Sequence, residues 1–202
     1  MAVSARFPEF IQPLFGALLG ACGAALIVFL PKGPGAVAAV ALWTAANLAK
    51  GELGFSRWFL KLPLFGTLLA GCTLLLKWYS LISLQNSGRL WAPVIAAMTL
   101  GPATATALAW VSRPVDDEAF ARLSRLGTRS AVIAIAEGCV AALLCGTRVG
   151  VILVLVMWIL LRLVTMLTEW RRRGVRGADI EATRVIAETV ALVLVASLRD
   201  LL

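Results

Sequence analysis

The stretch that decides the fold is residues 149–167, which read VGVILVLVMWILLRLVTML. Arg162 is the only charged residue in this run, and most of the others are aliphatic. A helix needs about 20 mostly apolar residues to cross the hydrocarbon core of a bilayer. The run therefore predicts a membrane-spanning helix, and similar runs recur along the whole chain.

The composition of the chain agrees with a membrane protein. Of its 202 residues, 60% are hydrophobic and 15% are charged, and the mean hydropathy is +0.90. Ordinary soluble domains contain about 45–50% apolar residues. Because the charged residues cluster between apolar runs, we predict an all-α, polytopic membrane helix bundle that forms one domain over residues 1–202.

Seven apolar runs predict about seven membrane spans. They cover residues 14–31, 36–49, 62–84, 91–111, 131–146, 149–167 and 185–200. The second and fifth runs are shorter than about 20 residues, so six or eight crossings remain open alternatives. The first run follows Arg6 in the manner of a signal peptide, but we interpret it as the first membrane helix.

The distribution of basic residues predicts the orientation. With seven spans, thirteen of the nineteen Lys and Arg residues fall on the side of the amino terminus, four on the other, and Lys77 and Arg162 within spans. Lys and Arg are enriched in cytoplasmic loops. We therefore expect a multi-pass protein of the cell inner membrane, with its amino terminus in the cytoplasm.

The same rule explains the formal charge of +8. A basic excess held in cytoplasmic loops needs no nucleic acid partner, so we expect the lipid bilayer to be the partner of this surface and expect no nucleic acid. A homo-oligomer stays an open alternative.

Several common kinds of site are absent from the sequence. The chain has no histidine, and its four cysteines lie inside apolar runs without a CxxC pair. These features argue against a zinc site and against a disulfide framework. The sequence also lacks a P-loop, a Ser/His/Asp set and a dinucleotide-binding fingerprint.

A basic turn near the carboxy terminus is one candidate site. Residues 171–181 read RRRGVRGADIE. Glycines let a ligand approach the backbone, arginines donate to phosphates, and Asp179 and Glu181 could hold a cation. A basic flank followed by a helix whose first acidic residues complement the helix dipole fits the spacing better.

Three ionisable residues lie within apolar runs: Lys77, Glu137 and Glu188. A charge inside the membrane usually faces the bundle interior and is paired. Glu188 lies about two turns after Asp179 on a helix, so we predict a polar site that joins Lys77, Asp179, Glu181 and Glu188. Lys77 could instead extend along the helix towards the membrane interface, and Glu137 could serve in packing.

The segment Ser112 to Ser130 has apolar residues at roughly helical spacing, namely Val115, Phe120, Leu123 and Leu126. This pattern predicts an amphipathic helix that lies on the membrane surface. A substrate clamp is the second interpretation.

Three stretches carry a resemblance to a known family. They are PLFGALLG at residues 13–20, LLLKWYSLISL at residues 74–84, and the segment from Arg171 to Leu198. Within the last, residues 177–188 read GADIEATRVIAE, similar to a family ending with a T-G-D-x-x-G-A-like turn and a helix containing glutamates. In their order along the chain these stretches resemble cobalamin synthase, the membrane-bound adenosylcobinamide-GDP ribazoletransferase.

The resemblance implies a reaction and its residues. An activated corrinoid would be joined to α-ribazole or its phosphate with release of GMP and with the help of Mg²⁺. On this hypothesis the catalytic residues are Lys77, Asp179 and Glu188, the Mg²⁺ ligands are Asp179, Glu181 and Glu52, and the phosphate-binding residues are Arg172, Arg173 and Arg176.

The chain departs from the family pattern in one important segment. The family has an acidic motif, G-G-x-H-x-D-G-x-x-D, where residues 45–54 here read AANLAKGELG. Gly51 keeps its place, Lys50 stands where the first aspartate is expected, and Glu52 is the one nearby carboxylate. In addition, residues 101–106, GPATAT, keep the family's proline and lack its arginine. A non-catalytic homologue that binds a corrinoid or a partner enzyme therefore stays an open alternative. An unrelated small membrane transporter is a further alternative, which the intramembrane Lys77, Glu137 and Glu188 permit.

Overall fold

The computed structural model describes residues 11–31, 33–49, 63–85, 90–116, 119, 121 and 126–198, with the backbone alone described for residues 47–49, 63–70 and 172. These residues form seven helices: α1 (Gln12–Phe29), α2 (Pro34–Ala49), α3 (Pro63–Gln85), α4 (Trp91–Val111), α5 (Thr128–Leu143), α6 (Thr147–Arg172) and α7 (Gly177–Ser197). Over this part of the chain there is no strand apart from one isolated bridge between Pro114 and Val175. The all-α prediction is confirmed for the described residues.

The helices follow the predicted apolar runs in order, with one notable shift. The last run was expected at residues 185–200, whereas α7 begins at Gly177. The added residues include Asp179, Glu181 and Arg184, all of which are buried. Hydropathy assigns such residues to a loop, because it does not register that charged side chains can pair with one another inside a bundle.

Helix α4 is the centre of the bundle. Its residues are buried almost continuously from Pro93 to Leu108, and it makes its most extensive contacts with α1, α5 and α7. Alanines, threonines and a glycine supply much of this surface. In a membrane such small side chains allow helices to approach closely and so to gain van der Waals contact.

A proline in α4 shapes its contact with α1. Pro102 has no N–H, so the carbonyl of Met98 cannot accept the usual helical hydrogen bond from it. Gly16 of α1 packs directly against that carbonyl, and a methyl group there would overlap it. One turn further, a methyl group on Gly20 would lie 2.9 Å from the Cα atom of Ile95. The glycines of α1 therefore permit its close packing on the proline-containing helix.

Side-chain to backbone hydrogen bonds fix α2 and α3 against α1. The indole Nε1 of Trp43 donates to the carbonyl of Leu19 at 2.9 Å. The amide Nε2 of Gln85 donates to the carbonyl of Ile27 at 2.9 Å. Helix α3, which carries Lys77, is held in this way at its carboxyl end.

Of the described helices, three are long and apolar enough to cross a membrane: α1, α4 and residues Thr147–Arg171 of α6. Residues Pro34–Ala46 of α2 form a shorter apolar helix. Large apolar side chains on α6, among them Leu155, Trp158 and Met166, are exposed, as expected for a helix that faces lipid. The count of seven crossings stays a prediction.

The loop between α4 and α5 differs from the predicted surface helix at its start. Residues Ser112 to Asp116 are not helical, and Pro114 pairs with Val175 instead. Leu126 is buried rather than lying on an outer surface. Phe120 and Leu123 lie outside the residues whose side chains are described, so the rest of that prediction is untested.

Candidate functional site

A buried ion pair joins α3 to α7. The Nζ atom of Lys77 lies 2.7 Å from Oε2 of Glu188, and the exposed fractions of the two side chains are 7% and 0%. Gly101 of α4 makes room for this contact, since a methyl group there would overlap Cγ of Glu188. The predicted pairing of these two residues is confirmed. The alternative, in which Lys77 extends towards the membrane interface, is wrong because its ammonium group is buried against α7.

Arg184 completes the group and was missed by the sequence interpretation. Its Nε atom donates to Oε1 of Glu188 at 3.2 Å, and its Nη1 atom lies 3.9 Å from Oε2 of Glu181. We call Lys77, Glu181, Arg184 and Glu188 the charge cluster. Two cations face two anions, so the cluster has no formal net charge, which makes its burial in a membrane bundle tolerable.

A signal for Arg184 was present in the sequence. Glu181, Arg184 and Glu188 stand at i, i+3 and i+7, so the arginine lies three residues from one glutamate and four from the other. These are the spacings at which side chains meet on a helix surface. The apolar run predicted at residues 185–200 begins one residue after Arg184, so hydropathy puts Arg184 in a cytoplasmic loop.

Two carboxylates meet the first turn of α7. Oδ2 of Asp179 accepts a hydrogen bond from the backbone N–H of Arg176 at 3.0 Å. Oδ1 of Asp116 accepts from the N–H of Gly177 at 3.2 Å and from that of Ala119 at 2.8 Å. A helix amino terminus has unsatisfied N–H groups and a partial positive charge, and both carboxylates compensate these. The dipole role that the sequence suggested for the acidic residues is therefore seen at Asp179.

The same loops are tied together through their backbones. The N–H of Val115 donates to the carbonyl of Val175 at 3.0 Å, and the N–H of Val175 donates to that of Arg113 at 2.8 Å. At Gly174 a methyl group would lie 2.5 Å from the carbonyl oxygen of Arg113. The turn between α6 and α7 is thereby fixed against the chain that leaves α4.

The predicted phosphate-binding arginines belong to this turn. Arg173 ends α6 with a left-handed backbone, φ 56°, and is exposed, while Arg176 is half-buried. The side chain of Arg172 lies outside the described part of the structure. The turn holds Arg173 and Arg176 at the end of α7 that carries Asp179.

Glu137 and Glu52 are the remaining acidic residues that the sequence singled out. Glu137 lies half-buried on α5, and its buried Oε2 atom has no hydrogen-bond partner among the described atoms. Glu52 falls outside the described residues, so its placement as a metal ligand is untested.

A narrow cleft with polar groups opens where α1, α4 and α7 meet. It is lined by Gln12, Ala105, Thr106, Ala109, Leu126, Ile180, Glu181 and Arg184. We call it the polar cleft. Arg184 and Glu181 connect it to the charge cluster, whereas Lys77 and Glu188 do not line it and adjoin it through Arg184.

The described carboxylates do not by themselves fit a Mg²⁺ site. Within the described side chains, no group of three or more His, Cys, Asp and Glu residues could hold a metal ion. Asp179 and Glu181 are two residues apart on α7, and side chains at that spacing on a helix do not face each other. Glu181 is also in ion-pair range of Arg184.

Comparison with known proteins decides the family. A family model for cobalamin-5-phosphate synthase matches residues 63–196, which is 134 of the 202 residues. The chain belongs to this family. Its place in cobalamin biosynthesis, as a transferase, follows from that membership. Neither a curated protein nor a solved structure matches the chain.

Membership in the cobalamin-5-phosphate synthase family confirms the resemblance seen in the sequence and makes the unrelated transporter wrong. Together with the apolar helices it identifies a membrane protein. The matched range contains Lys77 and the whole segment from Asp179 to Glu188. The residues 13–20 that contributed to the resemblance, and the departing segment 45–54, precede it.

Proposed function

We propose that this chain is an adenosylcobinamide-GDP ribazoletransferase. A hydroxyl oxygen of α-ribazole, or of its phosphate, attacks the phosphorus that carries the corrinoid. The new P–O bond forms as the P–O–P bond to GMP breaks, GMP leaves with the bridging oxygen, and the hydroxyl proton is released. Such a transfer depends on placing the two substrates and on neutralising the phosphates.

The observation that carries this proposal is the neighbourhood of the charge cluster, the polar cleft and the basic turn, within a chain of this family. A corrinoid is large and amphipathic, so it can lie at the membrane while its nucleotide end meets the polar groups. Arg184 is one of the residues that line the cleft, and the turn places Arg173 and Arg176 near the first residues of α7. Together with Arg172, these arginines would donate to the phosphates.

We propose that the role of Lys77, Asp179 and Glu188 is to position the groups that meet the substrates. Glu188, which is itself paired with Lys77, contacts the guanidinium of Arg184 at its Nε atom. Asp179 ties the first turn of α7 to the basic turn through the N–H of Arg176. Loss of either contact would displace groups that meet the substrates, and even a small displacement of such groups can lower the reaction rate strongly.

Mg²⁺ is proposed to enter with the substrate. Proteins often bind Mg²⁺ through one or two carboxylates together with substrate phosphates. One or two oxygen ligands from Asp179, Glu181 or Glu52 would therefore be enough, and the substrate phosphates would supply others. When bound, the ion would neutralise charge on the diphosphate.

The test is an assay of membrane fractions with adenosylcobinamide-GDP, α-ribazole and Mg²⁺. Wild type should release GMP and form the joined corrinoid, whereas Asp179→Ala and Glu188→Ala should lose this activity and remain inserted in the membrane. Arg162→Gln is the matched control, because Arg162 is exposed on α6, has its guanidinium 5.6 Å from the ring centre of Trp158 and takes no part in the ion pairs of the charge cluster. Full activity of both site variants would refute the proposed roles.

The second candidate is a non-catalytic homologue that binds the corrinoid. Residues 45–54 favour it, since they lack the acidic motif of the family. A wild-type chain that binds adenosylcobinamide-GDP and forms no product in the same assay would establish this function in place of the first.

A further inference from the structure

We propose that this protein forms a two-fold dimer in the membrane through α5 and α6, in which Arg162 of each copy pairs with Glu137 of the other copy. The contact surface consists of Ile133, Glu137 and Val140 on α5 and of Leu155, Trp158 and Arg162 on α6, and we call it the α5–α6 surface. None of these residues belongs to the charge cluster or lines the polar cleft. The inference therefore does not depend on the proposed function.

The two charged residues of this surface lie within predicted membrane spans and lack an opposite charge. Arg162 is exposed, with its guanidinium 5.6 Å from the ring centre of Trp158. Glu137 is half-buried, and its buried Oε2 atom has no hydrogen-bond partner. Neither residue takes part in a salt bridge with the side chains that the structure describes. A charge inside a membrane is costly and is usually paired, so both residues point to a partner outside this copy.

The two charges lie at nearly the same depth. A methyl group on Gly150 of α6 would lie 2.9 Å from the Cα atom of Leu143 on α5, so these two residues are level with each other. Counted from this contact at about 1.5 Å per residue, Glu137 lies about 9 Å along α5 and Trp158 about 12 Å along α6. The guanidinium of Arg162 lies beside Trp158 and not at the end of the apolar run. Arginine and glutamate therefore reach the same level of the bilayer.

The directions of the side chains bring the two levels still closer. Helical side chains lean towards the start of their own helix. A turn of three residues joins α5 to α6, so the two helices run in opposite directions. Glu137 consequently leans towards the level of Arg162, and Arg162 leans back towards the level of Glu137.

Large apolar side chains surround the two charges. Those on α5 stand four residues before and three residues after the glutamate, and those on α6 stand four and seven residues before the arginine. At these spacings they share a side of the helix with the charge, and all four are exposed. An apolar groove runs between the helices, lined by Cys139, Leu143, Val151, Val154, Leu155 and Trp158. A packed partner would gain van der Waals contact there, which favours helix association in lipid.

A second copy of this chain is the partner whose charges match. In a two-fold dimer the same surface is used by both copies, so α5 of one copy faces α6 of the other. An axis along the membrane normal keeps every residue at its own depth. Each dimer then has two ion pairs between Arg162 and Glu137, and the four charges cancel. A contact of α6 with α6 alone would instead bring two arginines together.

Removal of either charge is the first test. Arg162→Gln and Glu137→Gln each remove both ion pairs of the dimer, and we expect each to weaken self-association about tenfold or more. The full chain is reconstituted in liposomes at several protein-to-lipid ratios, and energy transfer between two labelled populations measures the association. The matched control is Arg148→Gln, because Arg148 is exposed in the first turn of α6, about 21 Å along the helix from Arg162. This control should associate as wild type does.

Reversal of the charges is the sharper test. Arg162→Glu places two carboxylates opposite each other in its own dimer, and Glu137→Arg places two guanidinium groups there, so each variant alone should remain a single copy. Mixed together, the two variants should form a heterodimer, because both ion pairs are restored with their signs exchanged. A merely structural role for either residue gives no such rescue. If Glu137→Arg fails to fold, Arg162→Gln still decides, since Arg162 is exposed and its loss removes no packing inside the bundle.

The outcomes separate this inference from the proposed function. A wild type that stays a single copy in liposomes overturns the dimer, and so does association that neither glutamine variant weakens, or a mixture of folded charge-reversal variants that forms no heterodimer. Charge-dependent association in a chain without transferase activity supports the dimer and refutes the transferase. Because Arg162→Gln is expected to separate the copies, Arg148→Gln is used beside it as a control in the transferase assay.

Discussion

Lys77 and Glu188 are 111 residues apart in the chain, and their Nζ and Oε2 atoms are 2.7 Å apart in the fold. Glu188 has no exposed surface and also accepts a hydrogen bond from Arg184. The Glu188 carboxylate thus has two cationic partners, Lys77 and Arg184, whereas the ion pair that the ammonium of Lys77 makes within the described residues is with Glu188. Removing the Glu188 carboxylate would therefore affect two buried cations, whereas removing the Lys77 ammonium would leave Glu188 with Arg184 as a partner.

Glu188→Gln should destabilise the protein more than Lys77→Met. The first change leaves two buried cations, Lys77 and Arg184, without their shared carboxylate, while the second leaves Glu188 with Arg184. Breaking a buried pair from one side costs about 3–5 kcal/mol, and we expect Glu188→Gln in that range and Lys77→Met below it. Unfolding of the purified variants in detergent measures the difference. Equal losses, or a larger loss for Lys77→Met, would contradict the shared role of Glu188.

Gly101→Ala should disturb the charge cluster by steric overlap. The added methyl group would overlap Cγ of Glu188 and lie 3.1 Å from the carbonyl oxygen of Arg184, and forced overpacking costs about 1–3 kcal/mol. The matched control is Gly71→Ala on α3, where a methyl group would meet no atom within 4 Å. Alanine is favoured over glycine inside a helix by about 0.5–1 kcal/mol, so the control should be neutral or stabilising. Unfolding midpoints of the two variants should move in opposite directions or differ clearly in size.

Asp116→Ala should loosen the start of α7. It removes the carboxylate that accepts hydrogen bonds from the N–H groups of Gly177 and Ala119, and losing a helix cap costs about 0.5–2 kcal/mol. Hydrogen exchange in the first turn of α7 should become faster. Asp116→Asn retains an acceptor oxygen and should restore part of the protection. No change in exchange with Asp116→Ala would show that the backbone bridge to Val175 is sufficient.

The predicted orientation can be tested by reporter fusions. Fusions at residues 33 and 88 should report the outside of the membrane, and those at 120 and 175 the cytoplasm, because thirteen basic residues lie on one side and four on the other. The hydrogen bonds of Val115 and Val175 place their loops beside each other, so opposite locations for 120 and 175 would contradict both the charge pattern and the fold.

The sequence by itself determined the helical class, the order of the helices and the polar residues that needed partners. Long apolar runs can satisfy their backbone in lipid only as helices or closed barrels, and charges within them are too costly to leave alone. For this reason the positions of Lys77 and Glu188 within apolar runs were enough to predict that both belong to a polar site inside the bundle. The family followed from short motifs in the same segments.

Only the tertiary structure decided which partner each charge has. A linear pattern does not say which faces of two distant helices meet, and this depends on packing around α4, where Gly101 leaves space for Glu188. Arg184 was assigned to a loop by hydropathy, yet it is buried because its own helix supplies two glutamates at helical spacing. Asp179 was expected to join a polar site with Lys77, Glu181 and Glu188, and the structure adds that its carboxylate ties the helix to the preceding turn through the N–H of Arg176. Pairwise contacts of this kind arise from three-dimensional packing. A hydropathy average along the sequence contains no information about them.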